Sequence, residues 1–141
     1  LQNYGKRHYM LIRSKNKNEK IVWGLLSYTF DDSMTSAEQH EVIESIKENP
    51  NYEIFLYKGE DSDNYIGVLV VEINKNVSEE IEMAISIHRA ALLPSYRTEG
   101  LGYQMYVELR DLYPEASIQG SILMSEIVKN WSIRYREENQ E

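Results

Sequence analysis

Apolar and polar positions change period several times along the chain, and each change falls at a short polar or glycine-bearing turn. Leu1 to Tyr9 shows no period, whereas Tyr9 to Arg13 reads as a short strand. After the polar run Ser14–Asn18, residues Ile21, Val22, Leu25 and Leu26 recur at helical spacing, predicting a helix from Glu19 to Tyr28 with Trp23 packed on it. Asp31 to Ser33 mark a loop. Ser36 with Gln39 makes a capping-box pattern, Val42, Ile43 and Ile46 supply the buried stripe of a second helix, and Asn49-Pro50 ends it. His40 lies off that stripe and is expected at the surface. Two alternating runs rich in aromatic and β-branched residues follow, Tyr52–Lys58 and Tyr65–Asn74, and the polar turn Gly59–Asn64 between them predicts a hairpin. Gly67 inside the second run predicts a bulge or a close backbone contact.

Asn74 to Glu79 turns into the longest strand pattern, with Ile81, Met83, Ile85 and Ile87 facing one way and Glu82, Ala84, Ser86 and His88 the other. Alternation breaks at Ala90–Leu93, which predicts a bulge there. A turn holding Pro94 and the hexapeptide Arg97-Thr98-Glu99-Gly100-Leu101-Gly102 leads into a helix whose Leu101, Met105, Leu109 and Leu112 share a face. Pro114 stops that helix, Ala116–Gln119 reads as a further strand, and Ser125 is expected to cap a last helix through Ile127, Trp131 and Tyr135. Pattern alone predicts a mixed α/β fold. Residues 10–141 are expected to form one domain, with residues 1–9 an N-terminal extension or a remnant of expression.

Composition narrows the function classes. At 141 residues the chain can bury one core but not two. No apolar run approaches the roughly 18 residues that span a bilayer and no secretory leader pattern occurs, so a cytoplasmic protein without membrane contact is expected. The absence of cysteine removes disulfides, thiolate metal ligands and any cysteine nucleophile, and no metal site is expected. A net charge of −8 opposes nucleic acid as a partner. Acidic residues crowd between Asp31 and Asp63 (Glu38, Glu41, Glu44, Glu48, Glu53, Glu60, Asp61), either as a solvated face or as a field that draws a cationic amine.

The junction at Gly100 and Gly102 carries the most specific chemistry. Glycine permits positive φ and lets a ligand approach the backbone. The amides there converge with the unpaired first amides of the following helix, at the positive end of its dipole, so an anion such as a phosphate is the expected ligand. A dinucleotide fingerprint does not fit, because the glycines come in the wrong order and no βαβ unit opens the chain.

The run LLPSYRTEGLGYQMYVEL resembles motif A of the GNAT superfamily of N-acetyltransferases, where an R/Q-x-x-G-x-G/A turn binds the pyrophosphate of acetyl-CoA. A second stretch, Met10 to Tyr28, resembles the start of a small branch of that superfamily encoded with riboflavin-synthesis genes in Gram-positive bacteria. The likeness runs from Met10 to about Arg136 and is faint between Asp31 and Asn51. It implies a GNAT fold in the order β-α-α-β-β-β-α-β-α with splayed central strands, and acetyl-CoA as co-substrate. It also implies that the amides of Thr98, Glu99, Gly100, Leu101, Gly102 and Tyr103 cradle the pyrophosphate, that Arg97 is their charged partner, and that main-chain groups of Leu92 and Leu93 pair with the pantetheine arm. Glu99 departs from the neutral or basic residue common in family turns, and its carboxylate is compatible with a pyrophosphate only if it faces solvent.

An alkyl amine must lose a proton before it attacks a thioester. The strand glutamate that many family members use falls on Ser86 here, so His88, two residues on and on the same face, becomes the expected base. A hydrogen-bonded structural histidine is the alternative. The last-helix tyrosine of the family falls on Ser132, beside Trp131, which leaves Tyr135 either as proton donor to the departing thiolate or as a core residue. The expected function is N-acetyl transfer to an amine of an unknown small molecule or protein, by a monomer or homodimer. The alternatives are a non-catalytic acyl-CoA-binding module and a plain structural module.

Overall fold

Period-two alternation in the strands sorts apolar side chains onto both faces of a sheet, and a sheet apolar on both faces must be covered on both. In the computed structural model, which describes residues 8–140, this is what the chain builds. Strands β1 (Tyr9–Arg13), β2 (Tyr52–Gly59), β3 (Tyr65–Lys75), β4 (Met83–Leu92) and β5 (Ser117–Gly120) lie side by side in chain order. The first three pairings are antiparallel and the β4–β5 pairing is parallel. Helices α1 (Glu19–Leu26) and α2 (Ser36–Glu48) press Val22, Leu25, Leu26, Ile43 and Ile46 onto Leu56, Val68 and Val70. Helices α3 (Leu101–Leu112) and α4 (Ser125–Glu138) cover the other face, with Leu101, Met105, Tyr106, Leu109 and Val128 against Phe55, Leu69, Val71, Ile85 and Ile87. The expected element order is the observed one. Among the described residues no helix is long and apolar enough to cross a membrane.

Local boundaries differ from expectation in ways that geometry explains. Helix α1 ends at Leu26 and tightens into a 3₁₀ turn, Ser27–Thr29, where the Thr29 hydroxyl donates to Leu26 O at 2.7 Å. The α2 capping box belongs to Thr35 and Glu38 rather than to Ser36 and Gln39. Thr35 Oγ1 accepts from Glu38 N at 3.1 Å, and Glu38 Oε1 accepts from Thr35 N at 2.8 Å. Strand β4 starts at Met83, not at Ile81, and Met124 rather than Ser125 is the N-cap of α4, the Ser125 hydroxyl donating back to Ile122 O at 3.2 Å. Leu112 is exposed, while Tyr103 and Tyr106, one helical step round α3, are buried toward α4. His40 is exposed, as expected. Residues 1–7, where most of the expected extension lies, fall outside the described residues; Tyr9 already pairs with Gly59 in β1.

Gly67 meets both expectations made of it. The β2–β3 register slips there, with Ile66 the extra residue, and a Cβ on Gly67 would stand 2.8 Å from Leu92 Cδ2 and 3.0 Å from Ala91 O. The β4 bulge, by contrast, falls at His88 instead of Ala90–Leu93: Val71 pairs with Ile87 and Val70 with Arg89, leaving His88 between them. Strict alternation from buried Ile87 would drive the Arg89 guanidinium into the core beneath α3. The slip returns Arg89 to the α1–α2 face beside His88, and turns small Ala90 toward α3.

Candidate active site

The site begins where β4 and β5 part. They pair only along Ala84–Ile87 and Ser117–Gly120, followed by Ser121 N donating to Ile87 O at 2.9 Å. Beyond that, β4 continues to Leu92 with its outer edge open, bordering a cavity of about 470 Å³. Ala90 and Leu92 form one wall, Arg97, Gly100 and Gly102 the end, and Trp131 and Arg134 of α4 the opposite wall.

The two glycines have different tasks. Gly100 is the N-cap of α3 at φ +74°, and a Cβ there would meet nothing within 4 Å, so the backbone conformation requires it rather than any neighbour. Gly102 is helical, and its Cβ would lie 3.1 Å from Trp131 Cζ2, so its bareness admits the indole. The Arg97 amide donates to Pro94 O at 3.3 Å and the Gln104 amide to Gly100 O at 3.3 Å. Among the described residues, no main-chain carbonyl accepts from the amides between them, those of Thr98, Glu99, Gly100, Leu101, Gly102 and Tyr103. Unpaired donors gathered at the positive end of a twelve-residue helix favour an anion. Thr98 and Glu99 are exposed and the Leu101 side chain is buried in the core, which leaves Leu101 only its main chain to offer and the Glu99 carboxylate open to water.

Arg97 reaches back across the mouth. Its Nε donates to Leu92 O at 3.0 Å and its guanidinium lies 5.2 Å from the Tyr28 ring centroid. This corrects the expectation for the pantetheine wall. Leu93 N is engaged by Ile66 O at 2.8 Å, and Leu92 O by Arg97. In an antiparallel pair, residues alternate between exchanging both hydrogen bonds and turning both groups away. With Leu93 N directed at β3, Ala90 and Leu92 turn theirs outward, and Ala90 N–H, Ala90 C=O and Leu92 N–H remain for a ligand. Ala90 was missed in the sequence, where its signal was an Ala-Ala pair in a strand of bulkier residues.

On the far wall Tyr103 donates to Glu138 Oε1 at 2.7 Å, Arg134 Nε donates to Glu138 Oε2 at 3.0 Å, and the Arg134 guanidinium lies 4.0 Å from the Tyr103 ring centroid. Burial first, then the Glu138 carboxylate, pushes the Tyr103 hydroxyl up to about 12. Arg134 adds a second cation to the cavity that helix periodicity did not distinguish from a surface arginine. Tyr135 stands apart from the cavity lining, its ring edge-on to Tyr106 at 6.2 Å and 4.7 Å from the Arg110 guanidinium, as the core alternative has it.

His88 lies on the α1–α2 face, half-buried, and like Tyr135 stands outside the cavity lining. Its Nε2 is 3.2 Å from Glu72 Oε1 and its Nδ1 3.4 Å from the Tyr52 hydroxyl, with the rings 4.9 Å apart. With Glu72 ionised, Nε2 is the donor in that contact, and Nδ1 is left as an acceptor turned to Tyr52. Burial and then the Glu72 charge raise the Tyr52 hydroxyl above its ordinary value, keeping it a proton donor. Ser86, at the position the resemblance gave to a glutamate, pairs with Glu72 on the same face. The acidic residues between Asp31 and Asp63 lie on the solvated α2 face (Glu38, Glu41, Glu44, Glu48), on β2 (Glu53) and in the turn after it (Glu60, Asp61); Lys47 bridges Glu19 and Glu44, Arg13 pairs with Glu53, and none of these acidic side chains lines the cavity.

Unengaged amides at the turn from a strand into a helix, beside a gap in the sheet, suit an anionic ligand. The chain is 34% identical over 110 residues to an uncharacterized N-acetyltransferase encoded in the lysA 3' region of Bacillus methanolicus, covering 77% of this chain and 83% of that protein. No family model matches it. It superimposes with a TM-score of 0.60 on a GNAT family acetyltransferase of Staphylococcus aureus, at 13% identity over 81% of this chain and 86% of that one. With an aminoglycoside N-acetyltransferase solved in complex with CoA the TM-score is 0.57, at 13% identity over 94% and 86%. The chain belongs to the GNAT superfamily of N-acetyltransferases.

Proposed function

We propose that this chain transfers the acetyl group of acetyl-CoA to a primary amine. The observation that carries the reading is the run of unengaged amides from Thr98 to Tyr103 at the end of a gap between parted strands. Those amides with Arg97 hold the pyrophosphate, Arg134 adds charge from the opposite wall, and the outward groups of Ala90 and Leu92 pair with the pantetheine amides. The bound structural neighbour supports CoA as the ligand. When bound, acetyl-CoA supplies an activated thioester. His88, which lies outside the cavity lining, takes a proton from the acceptor ammonium through a water, and Glu72 stabilises the imidazolium so formed. The freed nitrogen bonds to the carbonyl carbon as the carbon–sulfur bond breaks, and a water carries the proton that this nitrogen then sheds to the departing thiolate, because Tyr135 stands elsewhere. The likeness of Met10–Tyr28 to the small protein RibT supports an acceptor linked to riboflavin metabolism.

A second reading, a non-catalytic acyl-CoA-binding module, draws on the serines at positions 86 and 132, where related enzymes carry acid–base groups. Thermal melting with CoA and acetyl-CoA, followed by an amine panel that includes flavin intermediates, distinguishes the two. At a hundredfold excess over Kd a ligand stabilises the fold by about 2.7 kcal/mol, a shift of several degrees. Turnover is read as thiol release, with no background from the protein, which has no cysteine. Failure of either ligand to raise Tm overturns the acetyltransferase reading. Stabilisation without thiol release for any amine selects the non-catalytic one.

A further inference from the structure

A second cavity, of about 410 Å³, lies between the Ser27–Thr29 turn and α4 and shares Tyr28, Ala90, Met124 and Ile127 with the first. Arg89 projects into its wall because the bulge at His88 places both residues on the same face. The guanidinium is half-buried. Its Nη1 donates to Thr29 Oγ1 at 2.9 Å and to Thr29 O at 3.4 Å, and its carbon lies 5.3 Å from the Phe30 ring centroid. The ion pairs among the described residues use Arg13, Lys47, His88 and Arg134, and Arg89 enters none of them. Burial lowers its pKa, as expected for a cation withdrawn from water without a counter-ion. One hydroxyl, one carbonyl and one ring leave most of its five donors unspent. Withdrawing such a charge is costly unless a ligand repays it.

We propose that Arg89 binds an anionic group, a carboxylate or a phosphate, on the acceptor, and hence that this second cavity is the acceptor site for an amine bearing a nearby negative charge. The inference rests on the acetyl-transfer reading for the identity of the ligand as an acceptor, though not for the binding itself. Arg89 is the cation of this cavity and Glu126, exposed in the first turn of α4, is its carboxylate. The two charges complement a dipolar amine: the planar guanidinium takes the anion in bidentate fashion, and Glu126 attracts the ammonium from the rim. Ala90, common to both cavities, brings the amine beside the thioester, and His88 precedes Arg89 in the chain.

The test is calorimetric titration of the CoA-loaded protein with glycine, O-phosphoethanolamine and ethanolamine, using wild type, Arg89→Gln and Arg89→Lys. At least one anionic amine is expected to bind wild type roughly tenfold or more tighter than ethanolamine, the margin of one charge-assisted contact. Arg89→Gln abolishes that margin without changing the CoA-induced rise in Tm, and Arg89→Lys restores part of it. A margin for glycine identifies a carboxylate, and one for O-phosphoethanolamine a phosphate. No margin in wild type, or a margin that survives in Arg89→Gln, overturns the proposal. Unliganded melting of both variants confirms that they fold. If CoA itself fails to bind, the cradle reading falls, and the same titration on the free protein still decides the role of Arg89.

Discussion

Substitution of Gly100 separates the shape of the turn from the space above it. At φ +74° a residue with a Cβ occupies the left-handed region, which costs about 1–2 kcal/mol. Because a Cβ at Gly100 would have no neighbour within 4 Å, no packing cost adds to this in the unliganded protein. Gly100→Ala is therefore expected to lose about 1 kcal/mol, a fall in Tm of roughly 3–5 °C for a domain of this size. Asparagine tolerates the left-handed region better, so Gly100→Asn is expected to lose less than half as much. Their order reverses for the ligand. Asparagine sends the larger side chain into the space where the pyrophosphate would rest, so Gly100→Asn is expected to lose the greater part of its CoA affinity, by roughly tenfold or more. Differential scanning calorimetry with and without CoA reads both quantities on one sample. A Gly100→Asn variant that keeps the full CoA-induced shift would refute the placement of the phosphates, and an unchanged Tm in Gly100→Ala would refute the strain argument.

Two further outcomes follow from the packing around the site. Glu108 on α3 is half-buried, its Oε1 accepts from Leu11 N at 3.1 Å, and burial raises its pKa from the ordinary 4.5. The folded state then holds this proton more tightly than the unfolded chain, so its contribution to stability is full below pH 4.5 and is lost as pH rises through the elevated folded value. Glu108→Gln keeps an acceptor for Leu11 and removes the titration, so its Tm against pH is expected to fall less steeply above pH 4.5 than that of wild type; parallel curves would count against the buried-carboxylate account. Gly67→Ala forces a methyl to within 3.0 Å of Ala91 O, which, unlike the Leu92 side chain, cannot rotate aside. A loss of about 1–3 kcal/mol in urea unfolding, with a weaker CoA shift because the cavity wall moves, is expected; a near-neutral result would mean that β3 and β4 yield there.

The local geometry of the candidate site, a strand, a glycine turn and a helix start, was legible in the sequence because its parts are adjacent. The glycines of Arg97–Gly102, the strand before them and the helix after them are neighbours in the chain, and helix-start physics at Gly100 depends on little beyond those residues. The same holds for the element order, since amphipathic periods of 2 and 3.6 are written residue by residue. The structure alone decided which strand groups were left over. Leu93 N was spent on Ile66, Ala90 was turned outward, and the bulge moved to His88, because β3–β4 register is an agreement between segments some twenty residues apart. It also decided the company each polar side chain keeps. His88, which the sequence singled out, meets Glu72 and Tyr52, Arg134 meets Tyr103, and among the described residues Arg89 meets no carboxylate, although both arginines are unremarkable letters within their own stretches. Sequence period tells a side chain which face to take; only packing of distant segments determines what stands opposite it, and the chemistry proposed for this site draws on those pairings.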